Sequence, residues 1–435
     1  MSEIILPLSM ALLTLAGILV GYRVGMVLAG AAAIFILVSD LPTAFFNLLV
    51  SRIYANVLSN WLLVAIPMFI FMGLVLEVSG TAERSLKAAQ RALGGSAAGM
   101  GFSVLIIGVL LAASSGIVGA SVVLLSLLAL PRLVEAGYSD RMSAGLVTAS
   151  GTLAILIPPS IMLLILGDQL KPPLPSMFAG AIGPGLLLVT VYAGFVLWRA
   201  RGLPPAAPQD AASPLSLLID LGPLLVLVFS VLGSIIAGFA TPTEASGVGA
   251  FGAVLFTLLY GKFSFAMLMK AAKQTVITTS TVLFLMIGAT CFSAVFKGVG
   301  GDDMVEAGIL AFGDGPFMVL TVVMLAIFLL GFVLDWLEIT LILMPIFAPI
   351  VAGLDFGNGL SGSELMIWFG ILVAVNLQTS FLTPPFGFSL FYLRSAIGDR
   401  IATTDIYRGV LPFIVLQLLV LGLLIAFPGL ITGLL

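Results

Sequence analysis

The residues Ser150-Gly151-Thr152-Leu153-Ala154-Ile155-Leu156-Ile157-Pro158-Pro159-Ser160 interrupt a long hydrophobic stretch of the chain. A second interruption reads Asn376-Leu377-Gln378-Thr379-Ser380-Phe381-Leu382-Thr383-Pro384-Pro385-Phe386-Gly387. Each contains small polar residues and then a proline pair. In lipid, a backbone broken by two prolines leaves amides and carbonyls unpaired, so such breaks persist only inside protein or beside a polar cavity. Paired breaks in corresponding places of two halves indicate the binding site of a transporter.

The composition places the chain in a membrane. Of its 435 residues, 61% are hydrophobic and 9% are charged, which excludes a water-soluble globule. A crossing helix takes roughly 20 apolar residues, so the chain has room for about ten to twelve transmembrane helices. We therefore predict an all-α, polytopic membrane protein in a lipid bilayer.

The residue types exclude several classes of function. The chain has no histidine, which removes the usual proton shuttle and the commonest transition-metal ligand. Its single cysteine, Cys291, excludes an internal disulfide and a multi-cysteine metal site. The sequence has no G-x-x-x-x-G-K-[ST] loop for ATP and no basic stretch for nucleic acid. We predict that the protein is not an enzyme and that it uses no cofactor other than a coupling ion.

The chain divides into two membrane halves of similar length. A Pro- and Ala-rich linker at 199–216 separates residues 1–198 from residues 217–435. The halves repeat one order of elements, and an odd number of crossings in each would make the repeat inverted. The first proline-pair segment is too short for two crossings, so we predict re-entrant hairpins near 142–167 and 364–395. Ordinary kinked helices with packing glycines and prolines are the alternative.

Basic residues indicate which side of the chain faces the cytoplasm. The main clusters are Arg84, Lys87 and Arg91; Arg199 and Arg201; and Lys262, Lys270 and Lys273. We predict that all three lie on the cytoplasmic side.

A further polar interruption precedes each proline-pair segment. The first contains Ser114, Ser115 and Gly116, and the second contains Asp335 and Glu338. Carboxylates at membrane depth usually mark an ion or substrate route, and two that are three residues apart share one helical face. The alternative is that Asp335 and Glu338 cap a helix or pair with a basic residue at an interface.

The two proline-pair segments carry the uncharged oxygens that suit a sodium ion. Unwound carbonyls and Ser, Thr and Asn side chains supply such ligands in discontinuous transporter helices. Helix N-termini at the same breaks favour a substrate carboxylate. The predicted sodium ligands are Ser150, Gly151, Thr152, Thr379, Ser380 and Thr383, and Asn376 is of the same kind. For any one hydroxyl, hydrogen bonding to its own helix is an equal alternative, and proton coupling through Asp335 or Glu338 remains open.

The combined motifs resemble the large membrane subunit of a tripartite ATP-independent periplasmic (TRAP) transporter. They are Ser150-Gly151-Thr152 with Pro158-Pro159-Ser160, Thr241-Pro242-Thr243-Glu244-Ala245, and Phe381-Leu382-Thr383-Pro384-Pro385-Phe386-Gly387, supported by Pro131 and Gly137-Tyr138. The resemblance extends over nearly the whole chain. The run from Asn376 to Thr383 further resembles the mannitol/chloroaromatic or keto-acid branch.

The resemblance implies an inverted-repeat, elevator-type importer of the bacterial inner membrane that is driven by sodium. It implies a small membrane subunit and a periplasmic binding protein as partners and a small organic acid as substrate. Family sodium sites would lie around Ser150–Thr152 and Gln378–Thr383, with Ser114–Gly116 nearby and both proline pairs, Pro158-Pro159 and Pro384-Pro385, in the binding region. Many members have Gly-Ser-Ser-Val at the first break, where this chain has Ala113-Ser114-Ser115-Gly116. The alternative function is a self-sufficient, ion-coupled carboxylate transporter without a binding protein.

Overall fold

The computed structural model describes residues 2–39, 41–42, 44–93, 95–116, 118–203, 214–357 and 359–435. Their regular structure is entirely helical, and no strand occurs among them. The predicted linker at 199–216 falls largely on residues 204–213, which lie outside the described residues. Helices border it directly, because one ends at Ala200 and the next begins at Pro214.

The helices follow one another with short connections. In chain order they are α1 Ser2–Leu19, α2 Val24–Val38, α3 Phe45–Ile53, α4 Ala65–Val78, α5 Thr81–Leu93, α6 Ala97–Ser115, α7 Val118–Leu128, α8 Leu130–Glu135, α9 Asp140–Thr152, α10 Ile161–Leu170, α11 Leu174–Ala200, α12 Pro214–Ile236, α13 Pro242–Leu259, α14 Phe265–Gly298, α15 Gly301–Leu310, α16 Pro316–Leu330, α17 Trp336–Ala352, α18 Gly362–Leu382, α19 Phe388–Ile397, α20 Thr403–Ala426 and α21 Gly429–Thr432. A π-helical turn at Tyr54–Leu58 and 3₁₀ turns at Trp61–Val64, Leu153–Ile155 and Gly398–Arg400 complete the set.

The long apolar helices make this a multi-pass membrane protein, as predicted. Among the described residues, 7 helices are long and apolar enough to cross a membrane, and α14 is the longest at 34 residues. They are Trp61–Val78, Leu174–Ala200, Ile219–Ile236, Pro242–Leu259, Phe265–Gly298, Gly362–Leu382 and Thr403–Ala426. Shorter apolar helices, among them α1, α2 and α10, fall below that length.

Helices α6 and α7 form a hairpin that turns back at Gly116. A Cβ placed on Gly108 of α6 would lie 2.8 Å from Ser150 Cβ, and one on Gly151 would clash with Val122 of α7. Because Ser150 and Gly151 are neighbours on α9, positions 108 and 122 lie at the same level. Gly116, with φ of 59°, occupies the left-handed region that favours glycine at such a turn.

Helices α16 and α17 form the corresponding hairpin in the second half. The rings of Phe317, at the start of α16, and Phe356, just beyond the end of α17, have centroids 5.4 Å apart. Phe356 also contacts Trp368 of α18, with ring centroids 5.1 Å apart. The two open ends of this hairpin therefore lie together, and its turn lies at the other end of both helices.

The segment that carries Pro158-Pro159 follows α11 from end to end. A Cβ on Gly101 would lie 2.5 Å from Val196 Cγ1 and 2.8 Å from the Tyr138 hydroxyl, and one on Gly185 would lie 3.4 Å from Ile157 Cγ1. Gly167 meets Leu174 at the opposite end. Residues 138, 157 and 167 thus descend the length of α11, over about 33 Å. The hairpin predicted near 142–167 is wrong in this place, because α9 and α10 lie end to end as one broken crossing.

The segment that carries Pro384-Pro385 runs along α20 in the same manner. Trp368 Nε1 donates to the Leu424 carbonyl at 3.0 Å, and the Tyr407 hydroxyl donates to the Pro385 carbonyl at 3.2 Å. Arg394 donates to the carbonyl of Ile401, just before α20. The partners therefore move steadily from the end of α20 to its beginning. The hairpin predicted near 364–395 is likewise a broken crossing, formed by α18 and α19.

The two hairpins open at opposite ends of the molecule. The open end of α6–α7 lies where the Tyr138 hydroxyl donates to the Ala97 carbonyl at 2.9 Å, level with Val196 of α11. The open end of α16–α17 lies beside Trp368, whose neighbour Ile367 lies 2.9 Å from a Cβ on Gly180 of α11. Sixteen residues of α11 separate these levels, about 24 Å. The two hairpins therefore have opposite orientations, which is the relation that an inverted repeat requires; the inverted repeat of the two halves stays a prediction.

Two of the predicted cytoplasmic clusters meet at one end of the molecule. Arg84, Lys87, Arg91 and Lys262 line a single cavity with Tyr260, and the Arg84 guanidinium lies 4.6 Å from the centre of the Tyr260 ring. Arg199 lies one turn beyond Val196, at the end where α6–α7 opens. We call this end the basic face, and the positive-inside rule assigns it to the cytoplasm.

A thiol-labelling experiment distinguishes a broken crossing from a hairpin at α9–α10. In a Cys291→Ser background, Pro173→Cys should react with a membrane-impermeant maleimide added outside intact cells, whereas Glu135→Cys should react only after permeabilisation. The two positions precede α11 and α9, and a broken crossing places them on opposite sides of the membrane. Equal labelling of both from one side would contradict the crossing.

Candidate substrate and ion site

The first broken crossing buries its polar residues completely. Ser150 and Thr152 are both fully buried, and the Ser150 hydroxyl has no hydrogen-bond partner. Thr152 Oγ1 donates to the Ala149 carbonyl at 2.8 Å. After Thr152 the helix tightens into a 3₁₀ turn and then opens at Pro158 and Pro159, which are joined by a cis peptide bond. An unpartnered buried hydroxyl is uncommon, and the role of Ser150 as a ligand stays a prediction.

The second broken crossing has the same kind of polar segment. Asn376 Nδ2 donates to the Met324 carbonyl of α16 at 2.7 Å, which ties α18 to the second hairpin. The side-chain oxygen of Gln378 is buried and has no partner. The hydroxyls of Thr379, Ser380 and Thr383 each donate to a carbonyl of their own helix, at 2.8, 2.8 and 2.7 Å. Back-bonding therefore occurs at these three residues, although each hydroxyl keeps lone pairs that are free to accept.

One hydrogen bond joins the two broken crossings. Gln378 Nε2 donates to Thr152 Oγ1 at 3.3 Å across 226 residues of sequence. The unpartnered oxygens of Ser150 and Gln378 thus belong to two segments that are in direct contact. This contact brings together the two groups of residues that the sequence predicts to form one site. Buried oxygens without a donor are costly alone and suit a bound cation.

The turns of both hairpins reach the same region. A Cβ on Gly116 would lie 3.2 Å from Ile161 Cγ1, at the start of α10. A Cβ on Gly331, at the turn after α16, would clash with the Ser380 hydroxyl. The turn at Gly116 therefore contacts the first broken crossing and the turn at Gly331 contacts the second, and the place of Gly116 in the site stays a prediction. Ser114 and Ser115 close α6, but their side chains lie outside the described part of the chain.

Asp335 and Glu338 begin α17 as a capping box. The Trp336 amide donates to Asp335 Oδ1 at 2.8 Å, and the Asp335 amide donates to Glu338 Oε2 at 3.1 Å. This is the capping role that the sequence leaves open as an alternative, and it places both carboxylates at the turn of the second hairpin. Their part in ion or substrate binding stays a prediction. Both side chains are half-buried, and Glu338 faces a cavity.

That cavity, the inner cavity, has a volume of about 810 Å³ between α2, α14 and the start of α17. Arg23 contributes a positive charge, and Ser280 and Thr281 contribute exposed hydroxyls beside Glu338. Sequence reasoning missed these three residues. Arg23 follows a glycine turn between two apolar helices, and this context does not indicate that its side chain lines a cavity. The signal for the hydroxyls is the run Thr278-Thr279-Ser280-Thr281 in the middle of the longest apolar helix.

Broken membrane crossings whose polar residues are in contact are typical of a secondary transporter. The chain belongs to the family "Tripartite ATP-independent periplasmic transporter, DctM component", whose model matches residues 9–430. It is therefore the large membrane component of a TRAP transporter of the bacterial inner membrane and not an enzyme, as the resemblance predicts.

Named relatives agree with this assignment. The chain is 29% identical over 380 residues to the large permease protein of the sialic acid TRAP transporter of Vibrio cholerae, covering 85% of each chain. It is 27% identical over 425 residues to the large permease protein of the 2,3-diketo-L-gulonate TRAP transporter of Escherichia coli K12, covering 96% of each. Its fold resembles the crystal structure of the Alcanivorax borkumensis YdaH transporter, with a TM-score of 0.56, 13% identity and coverage of 99% and 98%. The branch within the family stays a prediction.

A double-mutant cycle tests the hydrogen bond between the two crossings. Thr152→Val and Gln378→Leu should each lower the thermal stability of the purified protein, and the double variant should lose less than the sum. A buried neutral hydrogen bond predicts a coupling of about 1 kcal/mol. Thr148→Val is the matched control, because Thr148 bonds only to carbonyls of its own helix at 2.7 and 3.1 Å. Additivity in the Thr152 cycle would show that the contact is absent.

Proposed function

We propose that this chain is the transport subunit of a sodium-coupled importer that moves a small organic acid into the cytoplasm. The observation that carries the proposal is the contact between two broken crossings at Thr152 and Gln378, with unpartnered buried oxygens on both. Breaks of this kind, in both halves of an inverted repeat, form the substrate and ion sites of secondary transporters.

The chemistry of the site favours sodium as the coupling ion. The residues that meet there are uncharged oxygen donors, and a hard monovalent cation is held by such oxygens. The candidate ligands are Ser150, Gly151, Thr152, Thr379, Ser380 and Thr383, and we include the side-chain oxygen of Gln378, which is buried without a partner. A proton would need a titratable group, and the carboxylates at the turn of the second hairpin, Asp335 and Glu338, cap α17. This favours sodium over protons.

The substrate that fits the surroundings is a carboxylate. Helices α10, α17 and α19 all begin beside the breaks or the hairpin turn, so their N-terminal amides present partial positive charge there. Arg23 adds a full positive charge in the inner cavity. The relatives named above transport sialic acid and 2,3-diketo-L-gulonate, which are both organic acids. A small organic acid is therefore the substrate class that we propose.

The packing of the helices supports an elevator mechanism with two bodies. Helices α6, α7, α9, α18, α19 and α20 contact one another, and so do α16, α17, α10 and α18. A second group consists of α2, α4, α12, α13 and α14, and it meets the first group mainly where α4 contacts α6 and α14 contacts α17. In the mechanism that we propose, the first body carries the site and the re-entrant hairpins α6–α7 and α16–α17, and it slides against the second.

Two partners complete the proposed transporter. A small membrane subunit would pack against the second body of helices, and a periplasmic binding protein would deliver the substrate, as the description of the family as tripartite implies. The alternative, a self-sufficient carboxylate transporter, would need neither partner.

Uptake into proteoliposomes tests the proposal. Vesicles that contain this chain and its small subunit should accumulate a labelled organic acid from a panel only with an inward sodium gradient and the loaded binding protein. Replacing sodium with potassium is the control. Uptake by this chain alone, or uptake driven by a proton gradient without sodium, would contradict the proposal and favour the alternative.

The sodium ligands are tested by single substitutions. Ser150→Ala should raise the sodium concentration for half-maximal uptake by about tenfold, which corresponds to about 1.4 kcal/mol, because it removes an oxygen with no other partner. Thr383→Ala should raise it as well. Thr148→Ser, two residues before Ser150 and bonded to its own helix, should leave it unchanged. An unaltered sodium dependence in both Ser150→Ala and Thr383→Ala would remove these residues from the site.

A further inference from the structure

A second polar cavity, the outer cavity, lies between α3, α10, α14 and α17 and has a volume of about 300 Å³. Three cationic side chains line it, those of Arg52, Lys171 and Lys297, against the single carboxylate of Asp168. Asn56, Gln169, Thr290 and Ser293 add uncharged polar groups.

The outer cavity lies at the end of the molecule opposite the basic face. Helix α14 begins at Phe265, three residues after Lys262 of the basic face, and its 34 residues extend over about 51 Å. Lys297 is in the last turn of this helix, so it lies beyond the far side of a hydrocarbon layer of about 30 Å. Because the positive-inside rule assigns the basic face to the cytoplasm, the opposite end, with Arg52, Lys171 and Lys297, lies on the periplasmic side. Basic residues are disfavoured on that side. Their grouping there needs a reason other than topology.

The carboxylate in the outer cavity is already satisfied. The Asp168 side chain is 5% exposed and accepts from Asn60 Nδ2 at 2.8 Å and from Gln169 Nε2 at 2.9 Å. Lys171 Nζ lies 3.4 Å from the same carboxylate, yet its side chain is 72% exposed. Arg52 has no ion pair among the described residues, and Lys297 bonds to the Pro345 carbonyl at 2.9 Å and pairs with Asp302 at 3.1 Å. The excess charge in the cavity is positive.

The backbone at Lys171 is a second, independent observation. Lys171 has φ of 65°, and among the described residues it is the one non-glycine residue with positive φ. It closes α10 in the left-handed conformation, where glycine is the usual residue because a side chain is strained there. Strained residues of this kind concentrate at ligand sites. A lysine at this point places a cation at the rim of the outer cavity that a glycine would not supply.

We propose that the outer cavity binds the carboxylate of the incoming organic acid before that substrate reaches the central site. Helix α10 connects the two places directly, because it begins after Pro159 at the break and ends at Lys171 on the rim. Arg52 and Lys171 supply the attraction, and Lys297 braces the wall through its bond to Pro345. The class of substrate in this inference rests on the proposed function, whereas the anion selectivity of the cavity does not.

Charged thiol reagents measure that selectivity without transport. The complex of this chain with its small subunit is reconstituted in a Cys291→Ser background with Thr290→Cys, which places a thiol on the wall of the outer cavity. The anionic reagent 2-sulfonatoethyl methanethiosulfonate should react about tenfold faster, relative to the cationic 2-(trimethylammonio)ethyl reagent, than it does at Thr281→Cys in the inner cavity. Arg52→Gln with Lys171→Gln should abolish this preference, whereas Lys87→Gln on the basic face should not.

The same variants are then assayed for uptake at limiting loaded binding protein. Arg52→Gln with Lys171→Gln should reduce uptake several-fold and should leave the sodium concentration for half-maximal uptake unchanged. A reagent preference that is absent in the parent, or that survives the double substitution, would overturn the anion site. Loss of the preference without any loss of uptake would overturn its role in substrate entry. If the parent shows the preference but takes up substrate without sodium, the proposed function fails and the anion site stands.

Discussion

The requirement that backbone polar groups in a membrane be paired or enclosed underlies the whole arrangement. Two crossings are interrupted by proline pairs, and neither interruption is tolerable in lipid. The polar residues Ser150, Thr152, Asn376 and Gln378 are buried within the protein, and a hydrogen bond joins Gln378 to Thr152, whereas Pro385 at the second break is exposed. The hairpin turn at Gly116 packs closely against Ile161 just after the first break, and the turn at Gly331 packs closely against Ser380 of the second crossing. The burial of these polar residues brings oxygen-bearing side chains of the two halves together, and in our proposal they form the site.

The sequence alone predicts the elements of this site but not their course. The proline pairs mark both breaks because Pro lacks an amide hydrogen and ends a helix, and hydroxyl residues beside them point to ion binding. The number of residues does not show whether the chain turns back in the membrane or continues across it. The segment 142–167 is too short for two crossings, and in the structure it is one interrupted crossing along α11 rather than a hairpin. The bond between Thr152 and Gln378 joins residues 226 apart and follows from tertiary packing only.

The basic residues differ in how far the sequence predicts their positions. The cytoplasmic clusters are predictable from the sequence, since Arg84 and Lys262 do share one face. The cavity positions of Arg23 and Lys171 are not predictable, because a basic residue after a glycine turn or a helix end is typical of an ordinary surface loop. In the structure Arg23 lines the inner cavity and Lys171 the outer one. In our proposal, the outer cavity is the approach by which the substrate reaches the central site.

The most direct test of the central claim is an experimental structure of the complex in sodium and in potassium at a resolution that shows ions. We expect density in sodium, coordinated by the Ser150 hydroxyl and the Gln378 side-chain oxygen where the two broken crossings meet, and its loss in potassium. A meeting point with the same density in both salts, or with Ser150 and Gln378 too far apart to share an ion, would contradict a sodium site there.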